Sequence, residues 1–390
     1  MKLAFVVQRY GADINGGAEL HCRWIAEHMS RHHDVEVLTT RAFDYITWKN
    51  HYPARPTVVN GVPVRRFSVR HPRRPDRFGR IQNLVLENEH READELRWLD
   101  EEGPRAPSLI RYVRRHVSDY DYFFFFSYRY YHSYWGIRAV PGKSILVPTA
   151  ERDPVIHLRI FRDLFTLPRA IVYNSHEERA MINQVSRNEN VPGDVVGVGS
   201  VIPPGHQAAR FRSRHGIEGD YILYIGRIDE NKGFPGLFEH FLRFKAETES
   251  PVKLLLIGST VVGIPVHPDV THLGFLDEQD KFDALDGALA LVIPSFYESL
   301  SMVTLEAWAL GKPVLANARC EVLKGQCLRS NAGLFYDGYD EFKAALALIL
   351  ESDGLRRALG ENGRKYFAAH YTWDRIEAKY LALLDRLEGH

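Results

Sequence analysis

The sequence predicts an α/β protein made of two doubly wound parallel sheets, and two observations carry that prediction. Short apolar runs recur along the chain, each followed by glycine, proline or a capping residue and then by a helical pattern. The alternation occurs twice, and the two series part after Pro203-Pro204. A run that is apolar without a break marks a strand buried on both faces, as in a parallel sheet.

The elements follow in order. Leu3–Val7 is a strand that leads to Gly11, Gly16-Gly17 opens a helical pattern (Leu20, Trp24, Ile25, Met29), and Val35–Thr39 completes a βαβ unit. Residues 41–80 are rich in proline and arginine, and 81–118 are charged and helical. Tyr122–Phe126, Ser144–Val147 and Ala170–Tyr173 are further strands. Ser175 with Glu178 three residues on predicts a capping box at a helix start. In the second series Tyr221–Ile225, Val252–Ile257, His272-Leu273, Leu289–Ile293 and Lys312–Ala316 read as strands. Helices are expected at Phe234–Glu247, at Ser301–Leu310 (stopped by Gly311 and Pro313) and over 339–351, 354–368 and 373–387. This places a first domain at 1–204 and a second at 205–373, facing a cleft, with ligands at the carboxyl ends of the strands.

Composition narrows the functions. The chain has 390 residues, 50 Lys+Arg against 50 Asp+Glu and hence no formal net charge, which argues against general electrostatic binding to nucleic acid. The balance is uneven, with 29 basic against 24 acidic residues in 1–200 and 21 against 26 in 201–390. Three cysteines (Cys22, Cys320, Cys327) make neither a disulfide framework nor a metal cluster and fit a reducing compartment. The opening MKLAFVVQRYG is too short for a signal peptide, and no run approaches about 20 apolar residues, so the expected location is cytoplasmic.

Three strand-end segments carry candidate chemistry. In Pro294–Val314, Glu298 lies in the loop after a strand, and Glu306 lies in a helix that is apolar almost all round (Met302, Val303, Leu305, Ala307, Trp308). A carboxylate there is paired with a neighbour or faces a solvated cleft. Ser299, Leu300 and Ser301 lead into the helix N-terminus, whose free N–H groups suit phosphate. In Gly226–Gly233, Arg227 and Lys232 set two cations at a strand end where a diphosphate would lie, although a solvated loop is the commoner fate of such residues. Asn15-Gly16-Gly17-Ala18-Glu19 is a weaker phosphate nest or simply a turn, since it lacks the dinucleotide-binding glycine spacing.

Taken in order, these pieces resemble a retaining nucleotide-sugar glycosyltransferase of the GT-B fold, glycosyltransferase family 4 (glycosyl transferases group 1). The quoted residues are Glu298 and Glu306 as E-x7-E, Arg227 and Lys232, Gly16–Glu19, Thr39-Thr40…Thr47-Trp48, Leu146–Ala150 and Tyr371-Thr372-Trp373 before the terminal helix. The resemblance implies two Rossmann-like domains, with helix 374–390 crossing back to the acceptor-binding N-terminal one. It implies that Arg227 and Lys232 neutralise the donor diphosphate and stabilise the leaving group. Glu306 would hold the ribose hydroxyls and Glu298 the donor sugar. Backbone near Leu300, Ser301, Met302 and Val303 would hold sugar and phosphate oxygens. Gly258 and Leu276, at strand ends, would border the base, Gly226 would let the backbone approach the donor closely, and Gly16 and Gly17 would face the diphosphate across the cleft. The implied reaction moves a hexose-type sugar from a nucleotide-diphosphate sugar to a hydroxyl of a glycan, glycolipid, lipid-linked or small-molecule acceptor, as in cell-surface polysaccharide or glycoconjugate synthesis. No metal and no cofactor are implied, because the nucleotide sugar is itself a substrate.

The chain departs from the family where many relatives carry a histidine after the segment Pro148-Thr149-Ala150, for here that position reads Glu151. Glu151, Asp153, Tyr128 and His132 are the sugar-pocket or acceptor candidates. Arg65, Arg66, Arg70, Arg73, Arg74, Arg77 and Arg80 are opposed in that stretch only by Asp76. The stretch reads as a solvated loop, or as a peripheral contact with anionic lipid or a phosphorylated acceptor at the inner face of the membrane. His28, His32 and His33 read as a helix end at the surface rather than a metal site. Two other functions fit the same fold, a nucleotide-sugar epimerase and a catalytically silent partner that binds nucleotide sugar. Base, sugar, linkage and oligomeric state have no side-chain code here.

Overall fold

In the computed structural model, which describes every residue except Asn15 and His390, the apolar runs form two parallel sheets in two separate units. Asn15 of the glycine-rich segment and His390 of the terminal helix therefore lie outside the described residues. The first unit comprises Met1–Val198 and Glu377–His390, the second Gly199–Ile376.

The first unit holds β1 (Lys2–Val7), β2 (Asp34–Thr40), β3 (Thr57–Val59), β4 (Val62–Phe67), β5 (Tyr122–Phe126), β6 (Ser144–Val147), β7 (Ala170–Tyr173) and β8 (Gly193–Val195). Their order is β3-β4-β2-β1-β5-β6-β7-β8, parallel throughout except β3 against β4. The chain turns from one half of the sheet to the other between β1 and β5, where Phe5 pairs with and stacks on Phe124 at 4.9 Å. All five residues of β5 are buried, as an unbroken apolar run requires. The antiparallel β3–β4 hairpin turns on Asn60-Gly61, both with positive φ. It falls in the proline- and arginine-rich stretch 41–80, where the sequence pattern marks no strand.

The second unit holds β9 (Tyr221–Ile225), β10 (Lys253–Ile257), β11 (Val270–His272), β12 (Leu291–Ile293), β13 (Val314–Asn317) and β14 (Gly333–Tyr336), all parallel. The order β11-β10-β9-β12-β13-β14 puts the topological switch point between β9 and β12. The core packs Leu254, Leu256 and Val292 of the sheet against Phe241 and Phe244 of helix Phe234–Thr248 and Leu346 of helix Tyr339–Glu351.

The helix Trp373–Glu388 begins in the second unit and ends in the first. Within the first unit its Tyr380 is buried beside Phe124, and its Glu377 carboxylate bonds the ring nitrogens of His28 and His32 (2.8 Å to His32). These histidines therefore anchor a helix instead of marking a free helix end. The expected capping box is also modified. Ser175 accepts the Glu178 N–H at 3.1 Å, but the Glu178 carboxylate reaches past the cap to the N–H groups of Asn174 and Ala150. Among the described residues no helix is long and apolar enough to cross a membrane.

Candidate functional site

In the second unit the loops after β9 and β12 flank the switch point, and both sequence-predicted strand-end segments lie on them. The β9 loop is rigid for local reasons. The Tyr224 hydroxyl donates to the Arg227 carbonyl at 2.6 Å, and buried Asp229 accepts the Lys232 N–H at 2.7 Å and the Arg227 Nε. Two glycines let neighbouring loops close on one another. A Cβ on Gly258 would sit 1.9 Å from the Gly226 oxygen, and one on Gly233 would sit 2.1 Å from the Pro294 oxygen. Both glycines have positive φ, so side chains are excluded by backbone conformation as well as by space. The second contact brings the loop that carries Lys232 against the loop that carries Glu298.

Lys232 Nζ donates to Glu298 Oε1 at 2.7 Å, with both side chains half-buried. Ser301, a non-glycine residue at φ 65°, turns the chain into the helix Met302–Ala309. That helix start has no side-chain cap, because the Ser301 hydroxyl instead accepts from Thr304 Oγ1 at 2.9 Å. Ser299 is half-buried, Leu300 is buried, and Met302 and Val303 are half-buried. Glu306 is 3% exposed. Its Oε1 accepts from Lys281 Nζ at 3.1 Å, while its Oε2 is buried without a hydrogen-bond partner. Burial pushes the Glu306 carboxyl above the usual range, against the pull of Lys281, which itself also meets Glu278 at 2.8 Å. An unpartnered buried carboxylate oxygen is an acceptor waiting for a hydroxyl donor. Gly226 and Gly258 directly follow β9 and β10, but Leu276 lies in the loop before helix Glu278–Gly287, four residues past β11. His272 bonds the Gly258 carbonyl at 2.8 Å.

The sequence pattern does not single out Asp229, Lys281 or His272. Asp229 had a readable signal, an Asp three residues before the lysine whose N–H it accepts. Lys281 had none, because it lies on another helix.

In the first unit, Gly16 precedes the helix Gly17–Met29, and Glu19 of its first turn accepts from Arg9 Nε at 2.7 Å, in the loop after β1. Arg9 was not picked from sequence. Asp153 Oδ2 accepts from Arg129 Nη1 at 2.9 Å, and Arg129 Nε reaches Glu102 at 2.9 Å. Glu102 also meets Arg73 at 2.9 Å, completing a chain of alternating charges. Burial raises the Asp153 carboxyl despite Arg129. Glu151 is half-buried in the same loop. Tyr128 and His132 are interior residues. Tyr128 packs edge-on to Phe161 at 4.9 Å, and His132 Nε2 is bonded to the Phe126 carbonyl at 2.8 Å, with burial lowering its imidazole to about 4. The arginine-rich stretch is not one solvated loop. Arg65 pairs with Glu36, Arg66 is buried on the Tyr10 carbonyl, Arg73 pairs with Glu102, and Arg77 pairs with Glu101.

The strand order, the paired strand-end loops and the two-unit plan are those of the GT-B fold. Anabaena HepE, whose structure was solved with UDP-glucose, superposes with a TM-score of 0.71 at 15% identity over 100% of both chains. Within that fold, residues 206–366, all in the second unit, match the family model of Glycosyl transferases group 1. The chain is 28% identical over 201 residues to the MMP alpha-(1->4)-mannosyltransferase of Mycolicibacterium hassiacum, covering 48% of each chain. It thus spans about half the length of that relative. It is 23% identical to an uncharacterized glycosyltransferase of Methanocaldococcus jannaschii, with 96% of each chain covered.

Proposed function

We propose that this protein is a retaining, metal-independent hexosyltransferase that moves a sugar from a nucleotide-diphosphate donor to an acceptor hydroxyl. One observation carries the reading: beside the switch point of a single sheet, Lys232 on the β9 loop meets Glu298 after β12 at 2.7 Å, with Arg227 on the same loop as Lys232 and Glu306 in the helix that follows Glu298. The names of the relatives, a mannosyltransferase and a glycosyltransferase, support it, as does the UDP-glucose held by a protein of this fold.

In this reading the two cations meet the diphosphate and take up the charge that develops as it leaves. Lys232 then exchanges its Glu298 partner for phosphate oxygen, which frees Glu298 for hydroxyls of the donor sugar. The unpartnered Oε2 of Glu306 accepts from a ribose hydroxyl, and Lys281 pulls the buried carboxyl back toward its ionised form. The N–H groups at the uncapped helix start, Met302 and Val303, receive phosphate or sugar oxygens. The acceptor hydroxyl attacks the oxocarbenium-like carbon on the face the diphosphate leaves, and phosphate oxygen takes its proton. The protein's work is positioning and charge stabilisation.

The test is a panel of nucleotide sugars scored by melting temperature, followed by donor hydrolysis without acceptor. A matched donor at about a hundred times its Kd stabilises by about 2.7 kcal/mol, and slow release of free sugar follows. A panel in which no donor raises the melting temperature overturns the reading. Conversion of the donor to an isomeric nucleotide sugar identifies an epimerase instead.

A further inference from the structure

Away from the second unit, the first unit contains a cavity of about 610 Å³ whose lining is unusually rich in arginine. Arg73, Arg74, Arg77, Arg97 and Arg105 line it together with His71, against only two carboxylates, Asp100 and Glu101. Those two carboxylates are already engaged, Asp100 by Arg105 at 3.1 Å and Glu101 by Arg77 at 2.7 Å. The remaining arginines are not balanced within the cavity. Arg73 is nine-tenths buried, its Nη2 on Glu102 and its Nε buried without a hydrogen-bond partner. Glu102, the counter-charge of Arg73, is shared with Arg129. Among the described residues Arg97 pairs with Asp94 alone, on the exposed face of its own helix at 3.1 Å, a pair of small energetic value. Arg74 is exposed, with no ion pair among the described residues, at the N-terminal edge of helix Pro75–Glu87, which has no side-chain cap.

Concentrating guanidinium groups around a cavity is unfavourable unless an anion occupies it, because like charges repel and a buried donor without a partner carries a desolvation cost. The wall is held in place: the Trp48 indole Nε1 donates to the Glu102 carbonyl at 2.7 Å, and Arg73 lies 5.0 Å over the Trp48 ring. Guanidinium forks match phosphate oxygens in geometry as well as in charge. We propose that this cavity binds the phosphate group of a phosphorylated sugar, which serves as the acceptor. The assignment rests on the transferase reading for the word acceptor, but the anion site itself does not.

The test measures equilibrium binding of glucose 6-phosphate to the full chain, with glucose as the neutral control. Three variants are compared with wild type: Arg74→Ala/Arg97→Ala, the single charge reversal Arg74→Glu, and Lys232→Ala at the donor loop. Both cavity variants alter exposed side chains, so their melting temperatures stay at the wild-type value. The expected result is that glucose 6-phosphate, but not glucose, binds wild type and Lys232→Ala alike, and that each cavity variant weakens it by about tenfold or more. Unchanged affinity in the cavity variants, or a loss confined to Lys232→Ala, overturns the assignment. So does binding to vesicles containing anionic phospholipid with none to the sugar phosphate, which would make these arginines a lipid-facing surface. A protein that binds glucose 6-phosphate through these arginines but no nucleotide sugar retains the anion site and loses only the transferase reading.

Discussion

The two units assemble their charged groups in opposite ways. In the second, the site-bearing groups come from two contiguous segments, 226–233 and 294–306, and each cation is close to a carboxylate of its own or the neighbouring loop. In the first, charge is relayed through Arg73, Glu102, Arg129 and Asp153, drawn from four separate stretches of chain. A site built from contiguous loops holds its shape by local hydrogen bonds and close glycine contacts. A site built from distant stretches depends on the packing of the whole unit. Substitutions in the second unit's loops should therefore cost function with little stability, and those in buried pairs should cost stability as well.

The largest effect expected is in Lys232→Ala. The side chain is half-buried on a loop whose backbone is fixed by Asp229 and Gly233, so the fold does not depend on it. If Lys232 stabilises the leaving group as proposed, its loss lowers turnover by about a hundredfold to a thousandfold, or about 3–4 kcal/mol in the transition state. The measurement is steady-state sugar release together with a melting curve. Turnover within a few-fold of wild type would remove Lys232 from the chemistry, and a large drop in melting temperature would assign it to the fold.

Lys281→Met adds a cost in stability to one in function. It leaves the Glu306 carboxylate, already short of one hydrogen-bond partner, without its cation in a buried position. Removing one partner of a buried pair costs about 3 kcal/mol or more, read as a lower denaturation midpoint. Because burial already pushes the Glu306 carboxyl upward, loss of the cation raises it further and favours the protonated acid. A protonated Glu306 is a poorer acceptor for a hydroxyl, so donor affinity falls as well. Wild-type stability in Lys281→Met would show that the pair is energetically idle.

The contrast between the units also explains what could be read in the sequence. Tyr122–Phe126 and Tyr221–Ile225 stand out as unbroken apolar runs and form strands with those bounds. The β3–β4 hairpin has a local signal, Asn60-Gly61 between valine-rich flanks, but the surrounding prolines and arginines mask it. β8 and β14 are three- and four-residue strands that are mostly half-buried, too short and too mixed to show a period. At the candidate site Lys232 and Glu298 were legible because loop position after a strand is a local property. That Lys281 would serve Glu306 was not, since helix packing chose the partner across 25 positions. For the same reason Arg73, Glu102 and Arg129 could not be linked in advance. His132 was picked because it follows a strand, but the helix Tyr131–Ala139 turns its ring inward onto the Phe126 carbonyl.

The smallest predicted effect concerns the loop that carries Glu151 and Asp153. Glu178 holds that loop from beneath, its carboxylate accepting the N–H groups of Ala150 and Asn174. Burial pushes the Glu178 carboxyl up to about 8, from 4.5 in an exposed glutamate. The folded chain thus holds this proton more tightly than the unfolded chain. Its stabilising contribution is full below about 4.5 and is lost as pH rises towards about 8. Glu178→Gln cannot titrate, and its single carbonyl leaves one of the two N–H groups without an acceptor, at a cost of about 1–2 kcal/mol. Denaturation across that pH range should show wild type above Glu178→Gln in acid, with the gap narrowing as pH rises. Parallel curves would mean that Glu178 keeps one protonation state throughout and that the loop is held by hydrogen-bond count alone. If the curves converge and transfer activity also falls in Glu178→Gln, the position of Glu151 is set by a titrating group on the helix His176–Ser186.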